Sequence, residues 1–179
     1  MSLLTPMLRS SPLTDWFSDA QRVQGMLDFE AALAQAQAAC GMVPPEAVGP
    51  IVAACRHEAI DFAALGEAAV GAGNLAIPLV KQLTAQVKAR DPEAARYVHW
   101  GATSQDAIDT GLVLQLRGAL DAAETLLEQL LAALALQADR YRDTVMPGRT
   151  WMQHALPVTF GLKLAGTLDA LLRWQQRLR

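Results

Sequence analysis

Apolar positions in this chain recur at spacings of three and four almost throughout, the period of a helix buried along one face. Ser18 and Gln21 stand at capping-box spacing. The helix they open is expected to run to about Cys40, where Gly41 and Pro44 stop it. A shorter helix should follow Pro44-Pro45 and carry Val48, Ile51, Val52 and Cys55. Asp61 is the expected cap of a third, FAALGEAAV, ending at Gly71-Ala72-Gly73. Pro78 suits the first turn of a fourth, LVKQLTAQVKAR. Asp91-Pro92 should open a short helical turn ending near Trp100.

Beyond Trp100 the pattern lengthens. From about Asp106 to Asp143 there is no proline, and Gly111 and Gly118 are the only glycines. Leu112, Leu116, Leu120, Ala123, Leu127, Leu130, Leu134 and Tyr141 keep the helical spacing, and Arg117, Asp121, Glu124 and Glu128 form a separate polar stripe. This predicts one amphipathic helix of roughly 35 residues, about 50 Å long at 1.5 Å per residue, which implies a long bundle. TVMPGRTWMQHALP is expected to be a loop, and Pro157 to begin a last helix with Phe160, Leu164, Leu168, Leu171, Leu172 and Leu178 on its apolar face. No period-2 alternation of any length stands out. GAGN at 71–74 follows no strand and fails the GxGxxG spacing. The expected fold class is all-α, with an N-terminal helical domain over 1–104 and the start of a central long-helix bundle over 105–179. The apolar face is still running at Leu178, so a longer bundle protein is expected.

Composition sharpens this. Hydrophobic residues make up 52% and charged residues 18%, apolar for a small monomer and suited to a surface buried against other chains. The net charge of -3, without a basic stripe outside the terminal RWQQRLR, argues against nucleic acid. The richest apolar run, 126–138, is broken by Glu128, Gln129 and Gln137 and is too short to span a membrane. MSLLTPMLRSSPLTDW lacks the basic and apolar regions of a signal peptide. Cys40 and Cys55 lie in apolar helical pattern and read as reduced core residues of a cytoplasmic protein. The histidines are far apart, without CxxC or HxxxH spacing, so neither a metal site nor a cofactor is expected of this chain.

Three polar islands remain. In GAGNLAIP (71–78), Asn74 either caps the next helix or donates to a ligand carboxylate. In VHWGATSQDAIDTG (98–111), Thr103 and Asp106 fit a capping box, which leaves His99, Trp100, Ser104 and Gln105 unexplained; a helix N-terminus is also an anion site. In GRTWMQHALPVTFG (148–161), Arg149 suits a bidentate carboxylate contact, with Thr150, Gln153 and His154 as further donors. The other reading is a plain interhelix loop with a surface arginine. Together the islands point to recognition of an anionic ligand at helix ends, without naming a reaction.

VHWGATSQDAIDTG and GRTWMQHALPVTFG, in this order and separated by a long helix, resemble two of the three signature regions of the fumarase/aspartase superfamily. LRSSPLTDWFSDAQRVQGMLDFEAALAQAQAACG resembles the superfamily's N-terminal helix, and GNLAIPLVKQL its 3-carboxy-cis,cis-muconate cycloisomerase branch, where adenylosuccinate lyases carry a His-Asp pair. The third signature, a GSSxMPxKxNP-like loop with the serine usually assigned as carbon base, is absent from these residues. Where the superfamily has GRTHxQ this chain has GRTWMQ, so Trp151 replaces a proton-transferring histidine with an indole that transfers none. The cycloisomerase branch tolerates this chemically, because its leaving group in lactone opening is a carboxylate that needs no proton.

The resemblance implies intramolecular addition of a carboxylate to a muconate double bond, through an enolate-like dianion. It implies a small polycarboxylate substrate and a homotetramer whose subunits share active sites. Thr103, Ser104 and Gln105 at the long-helix start are then expected to hold one substrate carboxylate, and Asn74, Arg149, Thr150 and Gln153 others. Trp151 is expected to line the cavity. His99 and His154 are the candidate catalytic residues, for proton transfer or electrostatic stabilisation. Two alternatives stand beside this: a β-eliminating lyase of the adenylosuccinate lyase kind, and a non-catalytic bundle fragment.

Overall fold

The computed structural model describes residues 11–178. The expectations for the first ten residues and for Arg179 lie outside them. Six α-helices, three short 3-10 turns and one two-stranded sheet make up the described residues. The chain divides into two compact units, Met1–Gly118 and Ala119–Arg179. The boundary expected at 104/105 coincides with the start of the longest helix, whereas the units divide inside it.

In the first unit, α1 spans Asp19–Ala39, and Ser18 caps it by accepting from the Gln21 N–H at 3.3 Å. It ends where Gly41 turns left-handed (φ 71), a conformation a side chain opposes. α2, Pro45–Ala54, starts on its own proline. α3, Phe62–Ala72, is capped by Asp61, which accepts from Ala64 N–H, and stops at left-handed Gly73. α4 spans Ala76–Arg90 with Pro78 in its first turn. Leu27 of α1, Ile51 of α2, Leu65 of α3 and Leu79, Leu83 and Val87 of α4 are buried in one core. These helices and the caps named for them follow the spacing.

The long helix, α5, spans Ser104–Arg140, 37 residues. Its N-terminal half meets α1 at a pair of glycines. A Cβ on Gly111 would lie 2.9 Å from the Met26 nitrogen, and one on Gly25 would lie 2.9 Å from the Gly111 carbonyl oxygen. Backbone therefore touches backbone there. Nearby, the buried Gln115 amide donates to the Trp16 carbonyl oxygen at 2.7 Å. Along the helix Leu112, Leu116, Leu120 and Leu130 remain 41–47% exposed. They are four of the eight positions of the apolar stripe read from the sequence, and they are uncovered, while Ala123, Leu127, Leu134 and Tyr141 are half-buried.

The second unit departs from expectation. The stretch expected to be a loop is a β-hairpin: β1, Val145–Thr150, pairs antiparallel with β2, Gln153–Thr159. Most of its residues are exposed on both faces, so no hydrophobic alternation marks it, and period-2 reasoning fails for that reason. Pro157 does not begin a helix. It lies in β2 opposite Pro147, and α6 starts at Phe160 and runs to Leu178. The register slips at Gly148, where a Cβ would sit 2.3 Å from the Leu156 carbonyl oxygen. The sheet is anchored at its base by Phe160 N–H donating to the Thr144 carbonyl and by Tyr141 against Phe160, ring centroids 5.2 Å apart.

The cysteines also separate. Both are free, but only Cys55 is buried; Cys40 is exposed at the end of α1. The expectation of two core cysteines fails for Cys40 because it caps the helix C-terminus, where the buried face has already ended. Among the described residues no helix is long and apolar enough to cross a membrane.

Candidate active site

The turn before α5 is the most constrained part of the first unit. His99 has a left-handed backbone (φ 57), uncommon for a residue with a side chain, and Gly101 follows at φ 70. The Gln37 amide, from α1, donates to the Trp100 carbonyl oxygen at 2.6 Å and ties this turn to the core. With the backbone so turned, the His99 ring reaches inward: Nδ1 lies 2.6 Å from Oε1 of Glu30, whose side chain is 1% exposed. Burial pushes the Glu30 carboxyl group above the usual carboxylate range, and the adjacent His99 partly offsets this. Oε2 of Glu30 has no hydrogen-bond partner in the described structure.

At the helix start itself the capping box is half formed. The Thr103 N–H donates to Oδ2 of Asp106 at 2.8 Å, as the motif requires. The Thr103 hydroxyl donates to the same carboxylate at 3.1 Å, and Asp106 N–H goes to the Thr103 carbonyl. The Gln105 amide donates to Asp109 at 2.6 Å. Thr103 and Gln105 are thus engaged within their own helix. Ser104 is not: it lines a cleft of about 290 Å³ with His99, Lys81, Val80, Ala76 and Ile77. Two helix starts, those of α4 and α5, border this cleft together with one lysine and one histidine. The first N–H groups of a helix have no intrahelical acceptor, so the cleft offers donors and positive potential to an anion.

Asn74 serves the start of α4. Its Oδ1 accepts from Ile77 N–H at 3.1 Å, the capping role weighed from the sequence. It also borders a separate, more apolar cavity of about 270 Å³ with Arg22, Met26, Leu75, Ile108, Leu112 and Gln115. The structure brings His99 and Ser104 together, then, but places Asn74 on a neighbouring cavity.

The remaining candidates gather at the tip of the hairpin in the second unit. Arg149 pairs across the strands with His154, and Thr150 with Gln153. Trp151 and Met152 form the two-residue connection, Met152 left-handed (φ 58), and each is 87% exposed. All the polar candidates here are exposed. The hairpin therefore presents an arginine, a histidine and an indole close together on a short projection.

A family model described as lyase matches residues 8–179. The chain belongs to the lyase family. It is 62% identical over 170 residues to a 3-carboxy-cis,cis-muconate cycloisomerase of Pseudomonas aeruginosa, an alignment covering 95% of this chain and 37% of that one. Its fold is similar to the matching part of the 3-carboxy-cis,cis-muconate lactonizing enzyme from Pseudomonas putida, with a TM-score of 0.95 at 56% identity, covering 98% of this chain and 40% of that one. It is also 43% identical to a nitrosuccinate lyase of Streptomyces davaonensis, over 98% of this chain and 37% of that one. The chain spans about two fifths of the length of these relatives. The resemblance read from the two signature stretches is thereby matched along almost the whole chain.

Sequence reading missed Glu30 and Lys81. A signal for Glu30 was present: it continues the series Val23, Met26, Leu27, Ala34 on the buried face of α1, and an acid in such a series is a polar group placed in a core. Lys81 had none, because an exposed lysine on a helix is ordinary.

Proposed function

We propose that this chain carries part of the active site of a cycloisomerase that interconverts 3-carboxy-cis,cis-muconate and 4-carboxymuconolactone. The observation that supports it is the high identity to such cycloisomerases across nearly the whole chain. In this reading the cleft beside Ser104 and His99 receives one substrate carboxylate. Ser104 Oγ, the first N–H groups of α5 and the positive charge of Lys81 stabilise it as charge grows toward the enolate-like dianion. Thr103 and Gln105 keep the helix start in place. Arg149, Thr150, Gln153 and Asn74 hold the other carboxylates, His154 supports charge or proton movement, and Trp151 is an apolar wall. A carboxylate adds intramolecularly to the conjugated system, and the proton gained at carbon comes from a group outside these 179 residues.

The assembly we propose is a cytoplasmic, cofactor-independent homotetramer in which different subunits bring these groups to one site. The uncovered leucines of α5 support it, since an apolar stripe of this length is stable only against other helices. The test is direct. Full-length protein is mixed with 3-carboxy-cis,cis-muconate, and the conjugated-diene absorbance and the proton spectrum of the product are followed. Formation of 4-carboxymuconolactone is expected. No turnover of the muconate, with cleavage of adenylosuccinate instead, replaces this reading by β-elimination.

A further inference from the structure

Glu30 is costly to the fold. It occupies a core position on α1, 2% exposed, where Val23, Met26 and Leu27 stand one and two turns earlier. One carboxyl oxygen lacks any partner. A well-packed apolar side chain at such a site is commonly neutral or stabilising relative to a buried acid, so packing gives no reason for it. Its one side-chain hydrogen-bond partner among the described residues is the His99 ring.

His99 in turn links that acid to the cleft. Nδ1 is taken by Glu30, Nε2 has no hydrogen bond among the described residues, and His99, its side chain 17% exposed, borders the cleft with Lys81 and Ser104. The proton inventory of the pair then decides what Nε2 offers. With one proton between Oε1 and Nδ1 and another on Nε2, the pair has no net charge, wherever the shared proton rests. With Nε2 bare, either a net negative charge is left in the core, which burial disfavours, or the acid carries its proton on Oε2, a buried position with no acceptor for it. The other groups around it do not reverse this. The Cys55 thiol stays neutral, pushed up to about 12 by burial and by the Glu30 and Asp28 charges. Asp106 is engaged by Thr103. Lys81 adds positive charge on the cleft side.

We propose that Glu30 is a positioning residue: its buried carboxyl group holds the Nδ1 side of the His99 ring and commits the Nε2–H side, as a donor, to a carboxylate in the cleft beside Ser104 and Lys81. That the carboxylate belongs to a muconate rests on the function proposed above; the pairing and the exposed donor do not.

Two measurements test it. Nitrogen NMR of the 179-residue chain labelled with ¹⁵N-histidine, the His99 signals assigned by a His99→Gln variant, reads the ring directly. A protonated Nε2 at pH 7.5 is expected, and a bare Nε2 overturns the proposal even if every variant misfolds. In full-length enzyme, Glu30→Leu is expected to keep or raise the melting temperature while raising KM at least tenfold, with kcat changed less. His99→Gln should do the same, and the double variant should lose no more than either single. Glu30→Gln, whose amide can donate to Nδ1 and so leave hydrogen on Nε2, should restore most of the loss. Additive losses, or an unchanged KM in Glu30→Leu, overturn the positioning role. If the wild-type enzyme does not act on the muconate at all, the proposed function fails while the NMR result still decides the pair.

Discussion

The glycine crossing between α1 and α5 makes a sharp quantitative test of the fold, with a control built into the same chain. Gly111→Ala places a Cβ 2.9 Å from the Met26 nitrogen, 3.1 Å from the Gly25 carbonyl carbon and 3.2 Å from Met26 Cγ. Two of these are backbone atoms, so the helices must separate rather than a side chain turn away. Overpacking of this kind costs about 1–3 kcal/mol. Against it stands the gain in helix propensity from glycine to alanine, about 1 kcal/mol. Gly66→Ala isolates that gain. Gly66 lies inside α3, and its Cβ would meet nothing within 4 Å. Gly66→Ala is therefore expected to stabilise by about 1 kcal/mol. Gly111→Ala should fall between neutral and a loss of about 2 kcal/mol, some 1–3 kcal/mol below the control. Urea unfolding of both variants, compared through midpoints at an unchanged slope, measures the difference. A Gly111→Ala protein as stable as Gly66→Ala refutes the close crossing. The crossing also bears on chemistry, since α5 begins at Ser104. A displacement of order 1 Å in positioned groups can cost about a hundredfold in rate, so full-length Gly111→Ala should lose activity where Gly66→Ala does not.

Ser104→Ala should leave stability within about 0.5 kcal/mol, since its side chain makes no hydrogen bond within the described residues, and should lower kcat/KM of the full-length enzyme about ten- to hundredfold through a lost bond to a charged group, roughly 1.5–3 kcal/mol; a kinetically silent variant removes Ser104 from the site. Trp151→Phe should keep the lactonizing rate within about tenfold, one apolar wall replacing another, and a loss of about three orders of magnitude in folded enzyme contradicts the wall role. Thiol titration of the native chain at pH 8 should modify exposed Cys40 and spare Cys55, whose thiol stays protonated up to about 12; in denaturant both should react, and equal native reactivity refutes the buried placement. Glu30 has its carboxyl raised above the ordinary range, so its contribution to stability is present at low pH and lost as pH rises through that raised value; Glu30→Leu should therefore gain on wild type as pH increases, and a constant difference between the two from pH 4 to 8 denies the shift.

The helices were legible because each carries its own punctuation. Ser18, Asp61 and the glycines after α1 and α3 act through the backbone within a few residues, and that chemistry is local. The hairpin was illegible because its strands are exposed on both faces, leaving no buried set to produce a period, and because Pro157 mimics a helix start. In the candidate site the polar islands marked segments that the fold places at helix starts and at a hairpin tip, but not the hydrogen bonds within them. Thr103 and Gln105 look like ligand groups beside Ser104, yet helical spacing hands each of them an aspartate three or four residues on. The Glu30–His99 pair joins residues 69 apart in sequence, a distance that no local pattern spans.

The two prolines facing each other in the hairpin, Pro147 and Pro157, have a mechanical consequence. Neither has a backbone N–H, so that rung has no donor on either strand, and the next position is displaced by the bulge at Gly148. Cross-strand bonding is thus interrupted over consecutive positions. The base is welded to α6 through Thr144 and Phe160, while Arg149, Trp151 and His154 ride on a tip held by its own last rungs. Such a ribbon twists at the gap more readily than at either end. Its tip can swivel as a unit to match a surface brought against it, without melting the base and without disturbing the spacing of Arg149 and His154 across the strands.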